Sequence, residues 1–282
     1  GLRLTLLEVF YARAGHDRPL APEQRRFCNA SVEHYLERVD RLRERGAKEG
    51  FAVGLAPHSV RAVGRPELER LAAYAKTHDL VLHAHVSEQV RENDECLAEH
   101  GCTPMALFEA TGCLERPGRF TAVHAIALDD ADYARLSGQH VCACPTTEAD
   151  LGDGVVPARR LLDAGTELCL GSDSNATIDL IAEARYLEMN ERLTRRARLC
   201  LADPDGQLAP VLARAATRVG ARSLGWDRLG ALAIGSPFDA AGFDLQHPSL
   251  RDVDPEWVVD ALLLSGSAIA CDQVWIAGER RC

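Results

Sequence analysis

Apolar positions along this chain come in two patterns that alternate. Short, nearly unbroken apolar runs bounded by glycine, proline or charge predict buried strands. Between them lie longer stretches in which apolar residues recur every three to four positions, which predict amphipathic helices. The first run, Leu4 to Tyr11, is strand-like, and a polar, proline-containing loop follows from Gly15 to Gln24. Residues 31–45 then place Val32, Tyr35, Leu36, Val39 and Leu42 on one helical face, with Gly46 and Gly50 punctuating the end. Further strands are predicted over 51–58, 81–86, 120–124, 141–144 and 167–173. Helices are predicted over 66–77, 88–100, 104–111, 129–137 and 157–164, with a long one over 178–196. Strands alternating with helices in this way make βαβ units and a parallel sheet.

Nearly every predicted strand runs into a polar, chemically capable residue: His58, His85, His124, Thr146 and Asp173. Polar groups gathered at the C-terminal ends of parallel strands mark the active face of a (β/α)₈ barrel of the TIM type. Six strands are present rather than eight, so the two that would complete the barrel are expected to precede Gly1. One more helix is predicted over 211–221. Beyond it, glycine-punctuated strand-like segments over 229–244 and 273–280, the second with a hairpin turn near Ala277–Gly278, predict a small β appendage. The expected division is therefore a truncated α/β barrel over residues 1–228, with the barrel end and remnants of a small β-sandwich domain over 229–282.

Composition narrows the partners. The formal charge of −10 argues against nucleic acid or an anionic membrane surface, both themselves negative. The most apolar late stretch, Trp257 to Ala270, is interrupted by Asp260 and by Ser265–Gly266–Ser267, so no membrane span is expected. No leader peptide is expected at Gly1. The ten cysteines include no CxxC pair; Cys142 and Cys144 form a CxC in a strand-like run. Such spacing reads as reduced, buried thiols of a cytoplasmic protein.

The candidate chemistry centres on Val81 to Gln89. Side chains alternate along a strand, so His83 and His85 face the same way, with Glu88 where the strand gives way to a loop. His85, His124 and Asp173, each at a strand end, converge only if the barrel forms. Two imidazoles and one carboxylate suit Zn²⁺ or Fe²⁺, and a metal held this way lowers the pKa of its water. Glu88 is placed to accept that proton and return it to a leaving amine. Each residue also has an ordinary structural reading. The histidines could be satisfied core residues, Asp173 a turn or helix-cap residue, and Arg61 solvated surface.

The set His85-x-x-Glu88, Val123–His124–Ala125 and Gly171–Ser172–Asp173–Ser174 resembles the metal-dependent amidohydrolase superfamily in its deaminase branch. The segments 55–63, 83–89 and 147–154 look like the formimidoylglutamate deiminase family of histidine degradation, and the resemblance runs over nearly the whole chain. It implies one metal ion per chain, zinc or ferrous iron, held by His85 and Asp173. It also implies Glu88, His124 and Asp173 as catalytic residues, and His58 and Arg61 as the holders of a substrate carboxylate. Glu148 and Asp153 would shape a loop. The implied partner is a small-molecule substrate, with a homodimer as the implied assembly by analogy with the superfamily.

Two departures stand against the family pattern. An early His-x-His strand, which supplies two metal ligands in the family, is absent: only His16 and His34 precede His58. Asn175 stands where histidine is expected after Asp173–Ser174. The first departure leads to the expectation that this chain is part of a longer protein and, as given, binds metal poorly and catalyses weakly. Two further readings stay open: another deaminase of the superfamily acting on a purine or pyrimidine ring, and a non-catalytic barrel.

Overall fold

The computed structural model describes residues 2–15, 18, 20, 22–174 and 178–281; Asn175 and His16 lie outside them. Six strands form one all-parallel sheet in chain order: β1 (Thr5–Phe10), β2 (Ala52–Pro57), β3 (Leu82–Val86), β4 (Phe120–His124), β5 (His140–Ala143) and β6 (Glu167–Leu170). Between them run α1 (Val32–Glu49), α2 (Arg65–His78), α3 (Val90–His100), α4 (Pro104–Ala110), α5 (Asp130–Arg135), α6 (Pro145–Leu151) and α7 (Ala158–Asp163). Each strand pairs with the next, so every β-strand C-terminus opens on the same side of the sheet. Among the described residues β1 and β6 are the two edges and the sheet does not close into an eight-stranded barrel.

Local chemistry sets the element ends. Ser31 caps α1 by accepting from the His34 N–H at 3.2 Å, and Gly50, at φ 84°, ends it with its N–H on the Gly46 carbonyl. Gly46 therefore lies inside the helix and does not end it. A Cβ there would come within 2.4 Å of the Phe51 carbonyl oxygen, so the glycine is needed for the close turn into β2. Pro145 starts α6 directly after β5, and Thr146 consequently sits in a helix rather than at a strand end. Its hydroxyl and N–H are both taken by Glu183, at 2.5 and 3.0 Å.

The long helix α8 (Leu180–Arg195) serves as an anchor through buried carboxylates. Glu188 accepts from the backbone N–H groups of Cys200 and Leu201, and Glu191 from that of Arg159. Next come α9 (Ala209–Arg214), which packs against α8, and then a π turn (Ala215–Val219) and α10 (Gly220–Ser223), which pack against β6. Their C-terminal end meets the opposite edge: the Thr5 hydroxyl donates to the Leu224 carbonyl at 2.9 Å and accepts from Trp226 Nε1 at 2.8 Å. His83 Nε2 donates to the Ser223 carbonyl at 2.8 Å, so His83 is a satisfied core residue. Burial pushes its pKa down to about 4.

The second sheet lies within residues 229–282. It is antiparallel and formed by β7 (Ala240–Phe243), β8 (Cys271–Ile276) and β9 (Glu279–Arg280), the last two joined through Ala277 and Gly278 at φ 54° and 80°. Residues 229–239 make turns instead of the expected strand. The apolar stretch near Trp257 forms α11 (Val258–Ser265), which returns to α8, where Arg185 Nε donates to the Leu263 carbonyl at 3.2 Å. Among the described residues, no helix is long and apolar enough to cross a membrane.

Candidate active site

The strand ends of β3, β4 and β6 bring their polar residues to one place. His85 lies on the same face of β3 as His83, and both line a cavity of about 560 Å³ with Val9, Cys142 and Asp173. Strand alternation accounts for His85; Asp173 lines the same cavity from the turn that follows β6. Alternation does not account for His124. Val123, the residue before it, faces the cavity, so parity turns His124 away. The chain reverses this with left-handed backbone at His124 (φ 70°) and Ala125 (φ 53°). Ser87 (φ 49°) and Asp173 (φ 46°) adopt the same uncommon conformation. Four such non-glycine residues around one cleft amount to stored backbone strain at the strand ends.

The resulting geometry is compact. His124 Nε2 stands 3.7 Å from Glu88 Oε1 and 3.7 Å from Asp173 Oδ2. The His124 ring stacks on His85 at 5.5 Å between centroids, and His85 lies 4.7 Å from His58, which meets Tyr11 edge-on at 4.9 Å. Arg61 Nη2 is 3.7 Å from Glu88 Oε2. All six residues singled out in the sequence, His58, Arg61, Glu88, His85, His124 and Asp173, thus join one continuous cluster.

Hydrogen bonds fix the ring nitrogens. His85 Nδ1 donates to the His58 carbonyl at 2.8 Å, so His85 Nε2 keeps its lone pair. A backbone carbonyl on the other nitrogen is the usual way a metal-binding imidazole is held. His124 Nδ1 donates to Glu148 Oε1 at 3.3 Å, and its fully buried Nε2 has no hydrogen-bond partner among the described residues. A buried, unpartnered ring nitrogen facing two carboxylates, beside an imidazole with a free Nε2, fits a cation or a polar reacting group between them. Burial acts to lower the pKa of His124, but the Glu148 hydrogen bond and the charges of Glu88, Glu148 and Asp173 raise it on balance. Burial together with the neighbouring His85 and Arg61 pushes His58 down to about 3, so it is neutral in the cluster.

Two functional neighbours escaped the sequence reading. Glu148 does more than shape a loop: fully buried, it accepts on Oε1 from both His124 Nδ1 and the Cys144 N–H, the latter at 2.8 Å. With Cys144 and His124 it also brings three ligand-type atoms within 4.8 Å of one another. Because its Oε1 is engaged by two donors, we read this group as the device that orients His124. Asp153 matches expectation, accepting from Gln89 Nε2 at 2.9 Å.

Glu92 is the second. It sits in the first turn of α3, accepts the Glu88 N–H at 3.2 Å and is buried, which raises its pKa to about 7. The folded pKa exceeds the ordinary 4.5, so the stability this group supplies is complete below pH 4.5 and lost as pH rises through 7. The loss amounts to about 3 kcal/mol. Glu92→Gln should flatten that part of the pH dependence, read as urea midpoints from pH 5 to 8. Parallel curves for the two proteins would remove Glu92 from this role.

Residues 1–279 match the model of the amidohydrolase family. The chain belongs to the amidohydrolase family. It is 36% identical to a formimidoylglutamate deiminase of Pseudomonas aeruginosa over 99% of its own length and 61% of that protein's. The chain therefore spans about three fifths of that relative. Among solved structures, an amidohydrolase from Brucella melitensis superposes with a TM-score of 0.88 at 31% identity, covering 99% of this chain and 61% of that one. An adenosine deaminase from Xanthomonas campestris with bound zinc superposes at 0.84 and 26% identity, covering 99% and 60%. This amidohydrolase chain thus carries the family's parallel α/β sheet and a small antiparallel sheet, without a closed barrel among its described residues.

Proposed function

We propose that this site serves the hydrolytic deimination of N-formimidoyl-L-glutamate to N-formyl-L-glutamate and ammonia. The observation that carries the reading is that Glu88 lies between His124 and Arg61, 3.7 Å from each, with Asp173 across from the same His124 nitrogen. The P. aeruginosa relative supports the substrate. A single zinc ion, the metal bound in the X. campestris relative, would be held here by His85 and Asp173 and would acidify the attacking water. As that water adds to the amidine carbon, Glu88 accepts one of its protons and hands it to the substrate nitrogen; Asp173 accepts the other as the tetrahedral carbon collapses and passes it on to that nitrogen, which leaves as ammonia. His124, held by Glu148, orients the substituents of the reacting carbon.

Arg61 and His58 hold a carboxylate of the glutamyl part, a guanidinium being matched to a carboxylate in charge and shape. Arg61→Ala is expected to raise KM roughly a hundredfold while kcat changes little, because it removes a charged hydrogen-bonding partner from ground and transition state alike. The competing reading is a ring deaminase, favoured by the mostly apolar walls of the cavity and by the X. campestris likeness. An Arg61→Ala enzyme with unchanged KM would decide for it.

The direct test is ammonia release from N-formimidoyl-L-glutamate with zinc supplied, measured on this chain and on the chain extended upstream through a His-x-His strand. Release from the extended protein supports the proposal. No release from either form, with a ring substrate turned over instead, defeats it, and inactivity towards both leaves the non-catalytic reading standing.

A further inference from the structure

One turn of helix lies behind two of the reacting groups. Thr146, Thr147 and Glu148 are consecutive residues in the first turn of α6, and all three are buried. Glu148 holds His124 through its Nδ1. Thr147 reaches the other side of the cleft. Its hydroxyl donates to the Ser172 carbonyl at 3.0 Å and lies 3.2 Å from the Ser174 hydroxyl. A threonine has one hydroxyl proton and Ser172 takes it, so Ser174 is the donor to Thr147. The two partners are the residues on either side of Asp173.

This grip falls where the backbone needs holding. Asp173 has φ 46°, and a non-glycine residue stays in that region only where its surroundings fix it. The Ser172 carbonyl belongs to the peptide that enters Asp173, so the bond from Thr147 sets how that peptide is turned. The bond from Ser174 closes the turn from its far side. Ser172 is half-buried and Ser174 exposed, whereas Thr147 is wholly buried, so an exposed turn is tied to a point in the core. That point is itself anchored, because the Thr146 hydroxyl and N–H are both bonded to Glu183 on α8. Packing alone gives no reason for a hydroxyl at 147, since valine is branched in the same way.

We propose that Thr147 is a positioning residue for the hydrolytic site, holding Asp173 in its left-handed turn and so fixing its place opposite His124. Thr147 acts only through Asp173, and its role depends on the assignment of Asp173 as a zinc ligand made above. With Glu148 next to it on the same turn, it sets the 3.7 Å between His124 Nε2 and Asp173 Oδ2. Two groups hung from adjacent residues of one helix keep their separation as long as that turn is intact. The ligand is then pre-oriented by α6, an element given no ligand in that assignment. Partners that orient a metal ligand are typically worth about 10- to 100-fold in metal affinity.

The test is the zinc affinity of the chain extended upstream through a His-x-His strand, measured by competition with a chromophoric chelator. Thr147→Val keeps the branched shape without the hydroxyl and should weaken zinc binding roughly tenfold. Thr147→Ser keeps the hydroxyl and should bind zinc as the parent does. In an Asp173→Asn background Thr147→Val should make no further difference, because the turn then carries no anionic ligand. Should Thr147→Val lose its fold by circular dichroism, Ser174→Ala decides in its place. That change removes one arm from the exposed side and should weaken zinc binding in the same direction. Parental affinity in the deciding variant would overturn the proposal. So would an equal loss in Thr147→Ser, the mark of a merely structural role, or an undiminished effect in the Asp173→Asn background. If Asp173→Asn alone keeps its zinc, the ligand assignment and the role of Thr147 fall together. If Asp173→Asn loses zinc while the deciding variant keeps it, only the role of Thr147 falls.

Discussion

Glu88→Gln is expected to lower the rate of ammonia release from N-formimidoyl-L-glutamate roughly a thousandfold while leaving the metal content unchanged. Glutamine has the shape of glutamate but can neither accept nor return a proton at that position. In the proposed reaction Glu88 carries the first proton from the attacking water to the departing nitrogen, and its two oxygens stand 3.7 Å from His124 Nε2 and from Arg61 Nη2. Its backbone N–H is held by Glu92, which keeps the side chain directed into the cleft. The loss should fall on kcat, as the interaction with a moving proton exists only in the transition state. The measurement is steady-state ammonia release on the upstream-extended protein, with elemental analysis on the same samples. A variant that retains most of the parental kcat would take the proton transfer away from Glu88.

Asp173→Asn is expected to do what Glu88→Gln does not, namely remove the metal. Replacing the one anionic ligand by a neutral amide should weaken zinc binding roughly a hundredfold or more, since zinc is held by His85 and Asp173 in this reading. Activity should fall to background for the same reason, and because Asp173 no longer takes a proton from water. Asp173 is three-tenths exposed and its Oδ2 points at His124 Nε2, so the substitution leaves no buried group orphaned and the fold should survive. Zinc counted after dialysis separates the two variants: present in Glu88→Gln, absent in Asp173→Asn. Zinc at parental stoichiometry in Asp173→Asn would move the ligand role to another residue, Glu148 with Cys144 being the first to test.

Strand and helix positions were legible because they depend on local apolar periodicity. β4 begins and ends where the sequence reading put it, at Phe120 and His124, and the βα order carried through to β6. The hairpin at Ala277–Gly278 was likewise readable, since a turn needing two positive φ values favours glycine. The reading failed where a neighbour distant in sequence overrides local preference. Gly46 looked like a helix end but is the interior position that Phe51 packs against. Thr146 looked like a strand terminus, yet Pro145 starts a helix and Glu183 holds the threonine there.

The same division runs through the site. Which residues could do chemistry was readable from type and spacing: strand alternation alone sends His85 to the cavity face, while Asp173 reaches it from the left-handed turn after β6. Alternation would have turned His124 away, and only the left-handed backbone at 124–125, held by contacts across β3 and β4, turns it back. Glu148 and Glu92 carried no periodic signal, because what makes each matter is burial beside a group on another element. Periodicity is a property of neighbours along the chain, and it is inherited by every fold that chain can adopt. Convergence of His85, His124, Glu88 and Asp173 within a few ångströms is a property of packing between strands, and it exists only once the sheet has formed.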